Sequence, residues 1–531
     1  MSLLQVGKAL LSFALLPFYT ASRPTNRITE RPHTIPALKE WTGGIGTYTF
    51  GAYSRIVLDS DYASHLEGTG DVFAEDLQQL TGLKIPVVSS KSRQPSDMVL
   101  TLNATDTIPG DEGYCLEVAD CVTISAQADH GAFYGTRTIL QLLKQGLTIK
   151  CGMGRDWPDH PQRSLMVDMG RKYFSLSWLE SHIRDLAYLK YNYFHFHLSD
   201  NFGFRLESER HPEIVSQQHY TKRELRALIE LAQKYHITIV PEIDMPGHMD
   251  AILESHPELQ LCSSSGQRRK GDIDLANDVS YKLMQDLLEE YLPLFPGPYW
   301  HIGADEYLMA GDYAHYPQLE TYAQEHYGTE AIARDSYLGF VNWANEIIKS
   351  HGKITRAWND GLHGGKAVTV ATDIVCEHWY GQGLTPQEIV DFGLYIMNGN
   401  ADHLYYVPGL HWQARADGIY ETFETHIFHN EGLIKPLDQK HLGAKLHVWC
   451  DDPDKETEHQ IADGIRCSLR SLAQKNWGSA KLVTSYDGFV PIINRIGRAP
   501  GYVIALLPDE STLTGPATVA FAENLSSLEY E

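Results

Sequence analysis

The sequence predicts an α/β protein, a (β/α)8 barrel preceded by a small α+β domain. Three observations point there. From residue 164 onward, eight short apolar runs recur, separated by polar loops and helical patterns. Most of these runs are too apolar for a half-exposed strand, as expected of parallel strands buried on both faces. Residues 40–155 have a different rhythm, with strands, helices and a hairpin in mixed order. An open doubly wound sheet is the competing fold, but the glycine-rich phosphate loop that usually follows its first strand is not found here.

In the N-terminal part, Tyr53–Leu58 and Met98–Leu102 read as strands and Ala63–Thr81 as a helix. Gly113–Val118 and Cys121–Ala126 alternate like a hairpin, and Gly131–Leu143 has helical spacing. Trp157-Pro158-Asp159-His160-Pro161 reads as the linker that ends this domain. The eight runs are Ser164–Met169, Tyr193–Leu198, Ile237–Ile243, Tyr299–Ile302, Ile354–Trp358, Ile374–Trp379, Leu394–Met397 and Lys445–Trp449. Helical patterns between them include Ser177–Lys190, Lys222–Tyr235, Ser280–Leu292, Ala331–Ser350 and His459–Lys475. Strand followed by helix, eight times over, is the rhythm of a barrel spanning residues 160–490. Residues 491–531 read as a tail beyond it.

Composition narrows the partners. Acidic side chains number 68 against 44 basic ones, a formal charge of −24. Nucleic acid and anionic membranes call for a basic surface, so neither is expected as a partner. Residues 9–18 (ALLSFALLPF) follow Lys8 and precede small residues, which predicts a signal peptide over residues 1–22 and a secreted protein. That run is too short to span a membrane, and no other segment is apolar enough. The sequons at Asn103 and Asn524 agree with secretion. Of seven cysteines, Cys115 and Cys121 flank the hairpin and are candidates to pair, whereas Cys376 and Cys450 lie in apolar runs and read as buried thiols. No Cys-x-x-Cys spacing for a structural zinc site occurs.

Active sites of such barrels form at the C-terminal ends of the strands. The first run is preceded by Arg163 and closes with Asp168, Arg171 and Lys172; the second ends His195-Phe196-His197-Leu198-Ser199-Asp200. The third ends Pro241-Glu242-Ile243-Asp244-Met245-Pro246-Gly247-His248, and the fourth His301-Ile302-Gly303-Ala304-Asp305-Glu306. The fifth and sixth lead to Trp358-Asn359-Asp360 and Trp379, the seventh to Tyr405, and the eighth to Trp449, Cys450 and Asp451. Carboxylates, histidines and tryptophans thus gather on one rim, while the strand interiors read as mostly apolar. Paired carboxylates suit glycosidic cleavage, which needs a proton donor and stabilisation of an oxocarbenium-like transition state. Adjacent residues such as Asp305 and Glu306 cannot straddle a sugar ring. Both can face one side of it, with Glu306 protonating the leaving oxygen and Asp305 holding an acetamido N–H while the substrate's own carbonyl oxygen attacks. His195 and His197 read as neutral packed histidines, and Cys450 as an inert thiol facing away from the pocket.

The motif His301-Ile302-Gly303-Ala304-Asp305-Glu306 resembles the His-x-Gly-Gly-Asp-Glu signature of glycoside hydrolase family 20, the β-N-acetylhexosaminidases and lacto-N-biosidases. Arg163–Asp168 with Tyr173-Phe174, Phe196–Asp200, Pro241–His248 and Gly113–Leu143 resemble further family segments, in order, over about residues 40–480. The resemblance implies a cofactor-free, metal-free hydrolase acting on N-acetylhexosamine-containing oligosaccharides or glycoconjugates. It implies that Arg163 binds the 3- and 4-hydroxyls and that Asp200 and His248 support the acid/base. Trp358, Trp379 and Trp449 would wall the acetamido pocket, and Tyr405 would donate to the acetamido carbonyl. Ala304, Tyr307, Asn201, Val407 and Asp451 depart from the commoner family residues. Val407 and Asp451 leave room where a terminal sugar would be gripped, which resembles the lacto-N-biosidase branch as much as a plain exo-hexosaminidase. Two other readings are a carbohydrate-binding protein on an inactive barrel, and a metal-dependent hydrolase using His197, Asp200 and His248.

Overall fold

The computed structural model describes residues 30–102, 109–308, 311–381 and 383–505. The expected signal peptide and both sequons lie outside the described residues. Residues 40–156 build a seven-stranded mixed sheet with two helices, Ala63–Thr81 and Asp129–Leu143. The predicted helix Ala63–Thr81 and strand Met98–Leu102 stand with those bounds, and the hairpin is Tyr114–Val118 with Val122–Ala126. The strands that the sequence pattern hid include Glu40–Thr49 and Thr148–Asp156, which pair antiparallel with each other. Their glycines mask the alternation, yet they are needed: a Cβ on Gly152 would lie 2.3 Å from the Trp41 ring. All seven cysteines are free. Cys115 sits opposite Ser125 in the hairpin register, so the suggested Cys115–Cys121 pairing is corrected.

The second domain is a closed barrel of eight parallel strands: Ser164–Asp168, Tyr193–His197, Thr238–Met245, Tyr299–Gly303, Ile354–Trp358, Val375–His378, Tyr395–Asn398 and His441–Val448. The seventh pairs with the eighth and the eighth with the first, which closes the ring. Helices on the outside include Leu176–Tyr188, Lys222–Lys234, Asp278–Tyr291, Ala333–Ser350 and Glu458–Trp477. The helix Lys222–Lys234 opens on a capping box, in which the Thr221 side chain accepts from Glu224 N–H and Glu224 reaches back to Thr221. The fifth crossover carries only the 3-10 turn Asn359–Gly361 before the sixth strand. No helix among the described residues is long and apolar enough to cross a membrane. The helix Tyr486–Ile496 runs across the boundary expected at residue 490, and the chain after it returns to the first barrel helix, where Arg498 Nη1 bonds Asp185 at 3.0 Å.

The strands alternate sharply. Leu165, Val167, Phe194, Phe196, Ile302, Ala357, Cys376, Leu446 and Val448 join the hydrophobic core under the helices. Their neighbours His195, His197, Glu242, His301, Arg356, Glu377 and Lys445 are buried and charged or polar. The expectation of mostly apolar strand interiors is therefore corrected. Arg356 Nε donates to Glu377 Oε1 at 2.5 Å, and Lys445 pairs with the other oxygen of Glu377. Two cations thus share Glu377, and the Glu242 carboxylate also acts on Lys445, the kind of pairing under which buried charge is tolerated.

Candidate active site

The fourth strand delivers Asp305 and Glu306 through an unusual turn. Gly303, Ala304 and Glu306 have φ of +71°, +63° and +48°. Gly303 is required, because a Cβ there would lie 1.6 Å from Asp244 Oδ1. Ala304 adopts the left-handed conformation that glycine would take at less cost. Its carbonyl accepts from the Tyr337 hydroxyl at 2.6 Å, and its N–H donates to Met245 O at 3.2 Å. Glu306 N–H donates to Asp360 Oδ2 at 2.9 Å, while Trp379 Nε1–H donates to Asp360 Oδ1 at 3.1 Å. Asp360 thus locks the turn to the sixth strand, a positioning role that its place after Trp358 did not by itself reveal.

Both acids converge on one imidazole. His248 Nε2 lies 3.4 Å from Glu306 Oε2 and 3.6 Å from Asp305 Oδ2, and its Nδ1 lies 3.4 Å from Asp200 Oδ1. Asp200 Oδ2 in turn meets His197 Nε2 at 2.8 Å, and His197 Nδ1 meets Glu242 Oε2 at 2.5 Å. Burial alone would depress His248, but the charges of Asp305 and Asp200 outweigh it and hold the ring as an imidazolium. Burial likewise would raise Asp200, yet His248, Arg171 and the His197 hydrogen bond keep it ionised. Between Glu242 and Asp200, His197 is held charged against its burial, which corrects the expected neutral state. His195 is neutral, its pKa pushed down to about 3 by burial and then by Lys445.

The two acids differ. Burial first, then Asp360 and Glu306, push Asp305 up to about 7 despite the opposing His248 charge. Its Oδ1 is buried without a hydrogen-bond partner. Glu306 has a half-exposed side chain, and the His248 ring 3.4 Å away lowers its pKa. Beside them lies a separate apolar cluster of Met166, Trp358, Ala401, Tyr405, Val407 and Trp449, with Trp379, Tyr380 and Trp412 packed on it. Trp358 and Tyr405 stand 5.8 and 6.1 Å from the Trp449 ring, and Trp379 stacks parallel to Tyr405 at 6.0 Å. Trp358 Nε1–H donates to Glu242 Oε1 at 2.9 Å, so one buried carboxylate fixes both this wall and the His197 end of the relay. A cavity of about 520 Å³ adjoins this region; Glu306, Asp360, Trp379, Tyr313, Arg334 and Tyr337 line it.

Arg163 is not in this group. It precedes its strand and therefore lies at the opposite end of the barrel, against the N-terminal domain. There it donates to both oxygens of Glu112 at 2.7 and 3.0 Å and to the carbonyls of His160 and Lys190. The arginine on the rim is Arg171. Its Nη1 lies 2.9 Å from Asp168 Oδ2 and 3.0 Å from Asp200 Oδ2, and it rides over the Trp449 ring at 5.4 Å. Asp451 is exposed at the mouth, within reach of the Arg171 charge. Because Arg171 and His248 already neutralise Asp168 and Asp200, these residues form a self-compensated relay rather than a ligand set. The two arginines separate experimentally. Arg171→Lys should lower kcat/KM by about 10- to 100-fold, the loss of one or two charge-assisted contacts. Arg163→Ala should leave KM unchanged and cost about 3 kcal/mol of stability by stranding a buried charge. Melting curves and steady-state kinetics on both variants check this; a KM effect from Arg163→Ala alone would put Arg163 in contact with the substrate.

Comparison with known proteins agrees with this fold. Residues 160–455 match the model of the glycosyl hydrolase family 20 catalytic domain, and residues 31–157 match that of the family's domain 2. The chain belongs to glycosyl hydrolase family 20. It is similar to a lacto-N-biosidase of Bifidobacterium bifidum, 30% identical over 491 residues, which covers 90% of this chain and 42% of that protein. It is also similar to a β-hexosaminidase subunit A1 of Dictyostelium discoideum, 26% identical, covering 92% of this chain and 91% of the other. Of the bacterial relatives it resembles, from Bifidobacterium bifidum, Porphyromonas gingivalis and Vibrio furnissii, the chain spans 42%, 54% and 63% of the length. Among solved structures, the β-N-acetylhexosaminidase of Streptomyces coelicolor superposes with a TM-score of 0.70 at 25% identity, over 88% of this chain and 96% of that one. A Streptomyces plicatus β-hexosaminidase mutant in complex with GlcNAc superposes with a TM-score of 0.72 at 23% identity, over 91% and 98%, a likeness of fold.

Proposed function

We propose that this chain is a secreted, retaining glycoside hydrolase that removes β-linked N-acetylhexosamine-containing units with help from the substrate's own acetamido group. One observation carries the reading: the buried, unpartnered Asp305 Oδ1 stands beside Glu306 and next to an aromatic cup. A buried acceptor without a donor is costly, and an amide N–H from the substrate would satisfy it. The apolar run at residues 9–18 supports secretion.

In this mechanism the acetamido methyl sits among Trp358, Trp379 and Trp449, and Tyr405 donates to the acetamido carbonyl. The N–H donates to Asp305, which favours its anion, while the bound sugar covers the half-exposed Glu306 and strengthens that group's hold on a proton. The carbonyl oxygen attacks the anomeric carbon, Glu306 protonates the departing oxygen, and Asp305 supports the positive charge of the oxazolinium ring. Glu306 then takes a proton from water, which opens the ring with net retention. Asp360 uses both oxygens on N–H groups and Asp200 is engaged by His197 and Arg171, so neither is free to act as nucleophile, while Asp244 is fully buried and burial holds its pKa well above the usual carboxylate range. Arg171 and Asp451, at the rim, would meet the sugar hydroxyls.

A narrower substrate has specific support. Val407 is buried in the aromatic cluster and brings no polar group to it, Asp451 is short and exposed, and the similar Bifidobacterium bifidum protein is a lacto-N-biosidase. These features favour release of a Gal-β-1,3-GlcNAc disaccharide. Product analysis on lacto-N-tetraose and chitobiose side by side tests it. Free disaccharide from the first with chitobiose intact supports the narrower reading. N-acetylglucosamine from chitobiose would instead make the chain an exo-hexosaminidase, and no product from any aminosugar would leave a carbohydrate-binding protein.

A further inference from the structure

The tripeptide His-Pro-Glu occurs at residues 211–213 and again at 256–258, and the fold brings the two copies together on the surface. Each histidine precedes a 3-10 turn, Pro212–Ile214 or Pro257–Leu259, with nearly the same backbone: φ −133° and ψ 64° at His211, φ −128° and ψ 56° at His256. Proline after each histidine disfavours a helical conformation there. The two rings lie edge to face with centroids 6.1 Å apart. Glu213 Oε1 sits between them, 3.0 Å from His211 Nδ1 and 3.0 Å from His256 Nε2. The far nitrogen of each ring faces a second carboxylate: His211 Nε2 lies 3.6 Å from Asp286, and His256 Nδ1 lies 3.7 Å from Glu258. Ser255 Oγ–H donates to Glu213 O at 2.8 Å and staples the two loops.

We propose that His211, Glu213 and His256 form a surface site for one divalent transition-metal ion of the Zn2+ class. Two imidazoles and a carboxylate are a ligand set suited to such ions. With metal–ligand bonds of about 2.0–2.1 Å in a tetrahedron, ligand atoms stand roughly 3.4 Å apart, so the 3.0 Å spacings need to open by only a few tenths of an ångström. Carboxylates behind both rings are the usual device for orienting ligating histidines. Glu213 is 42% exposed at its side chain and the histidines are 17% and 21% exposed, which leaves an entry path and room for water as fourth ligand. The loops so joined leave the second and third barrel strands just after Asp200 and His248, so the ion would tie together the two supports of the acid relay. The proposal does not depend on the glycosidase reading.

Chelator-treated protein titrated with ZnCl2 against a chromophoric competitor tests it. The wild type should bind one equivalent more than the His211→Ala/His256→Ala double variant, and its melting temperature should rise further than the variant's on adding zinc. Comparing the two cancels any zinc held elsewhere. Glu213→Gln keeps the shape of the cluster and should fold normally, with zinc affinity at least tenfold weaker. X-ray absorption of the 1:1 wild-type complex should show two imidazoles on the metal. Equal stoichiometry in wild type and double variant, or unchanged affinity in Glu213→Gln, would overturn the site.

Discussion

Asp305→Asn should lose about a thousandfold in kcat and become more stable relative to the wild type as the pH rises. The rate loss follows because an amide cannot support the positive charge that develops on the cyclising acetamido group; removing one preorganised electrostatic partner commonly costs 10²–10³-fold or somewhat more. The stability gain follows from burial. The Asp305 carboxyl is pushed from 3.8 up to about 7 in the folded chain. A folded pKa above the unfolded one means that the fold binds this proton more tightly. That contribution is complete below about pH 4 and is lost as the pH climbs to about 7. Holding the proton that much more tightly is worth about 4 kcal/mol at most, since each tenfold gain in proton affinity is about 1.4 kcal/mol. Asparagine does not titrate, so the melting-temperature difference between variant and wild type should grow from pH 4 to pH 7 and then level off. Melting curves at pH 4.5 and pH 8, with rates at the activity optimum, measure both. A variant that is equally destabilised at both pH values would mean that Asp305 is a comfortable carboxylate whose pKa burial does not raise.

Much of this site is legible in the sequence because strand ends are. Seven of the eight barrel runs fall within three residues of the observed strands, since a segment buried on both faces leaves little room for another reading. The eighth begins four residues earlier than expected, at His441, because its first turn carries Gly443 and polar neighbours that interrupt the apolar run. Asp305, Glu306, His248, Asp200 and the aromatic residues stand together because each closes or follows a strand at the same end of the barrel. Arg163 shows the same rule from its other side. It precedes its strand, so the polarity of the barrel alone sends it to the far end, and only Arg171, three residues past Asp168, reaches the rim. What the pattern hides is the inward face. Glu242, Arg356, Glu377 and Lys445 look like interruptions in apolar runs, yet they are every second residue pointing into the barrel axis. Their partners come from strands far apart in sequence, and no local pattern records such pairing. The same is true of Asp360, whose two hydrogen bonds reach Glu306 and Trp379 across loops.

Glu306→Gln should lose activity by an amount set by the leaving group. For an oligosaccharide, whose departing sugar alkoxide is a poor leaving group, the variant should fall about 10²–10⁴-fold, the usual worth of a positioned general acid. For a substrate with a fluoride or dinitrophenolate leaving group, which departs without a proton, the first step should be nearly unchanged. Gln is suited to this test because the backbone, not the carboxyl, holds the turn: Asp360 accepts Glu306 N–H, and Tyr337 holds the preceding carbonyl of Ala304. The side chain can lose its charge without releasing the left-handed turn that presents it. His248 keeps its other carboxylate contacts, Asp200 and Asp305, so the imidazolium should persist. Burst kinetics with the activated substrate then separate the two half-reactions. Ring formation should stay fast, while water attack, which needs Glu306 as base, should become limiting. An equal loss on good and poor leaving groups would place Glu306 outside proton transfer. The acid would then have to be sought at Asp305, whose proton the buried site already holds near neutral pH.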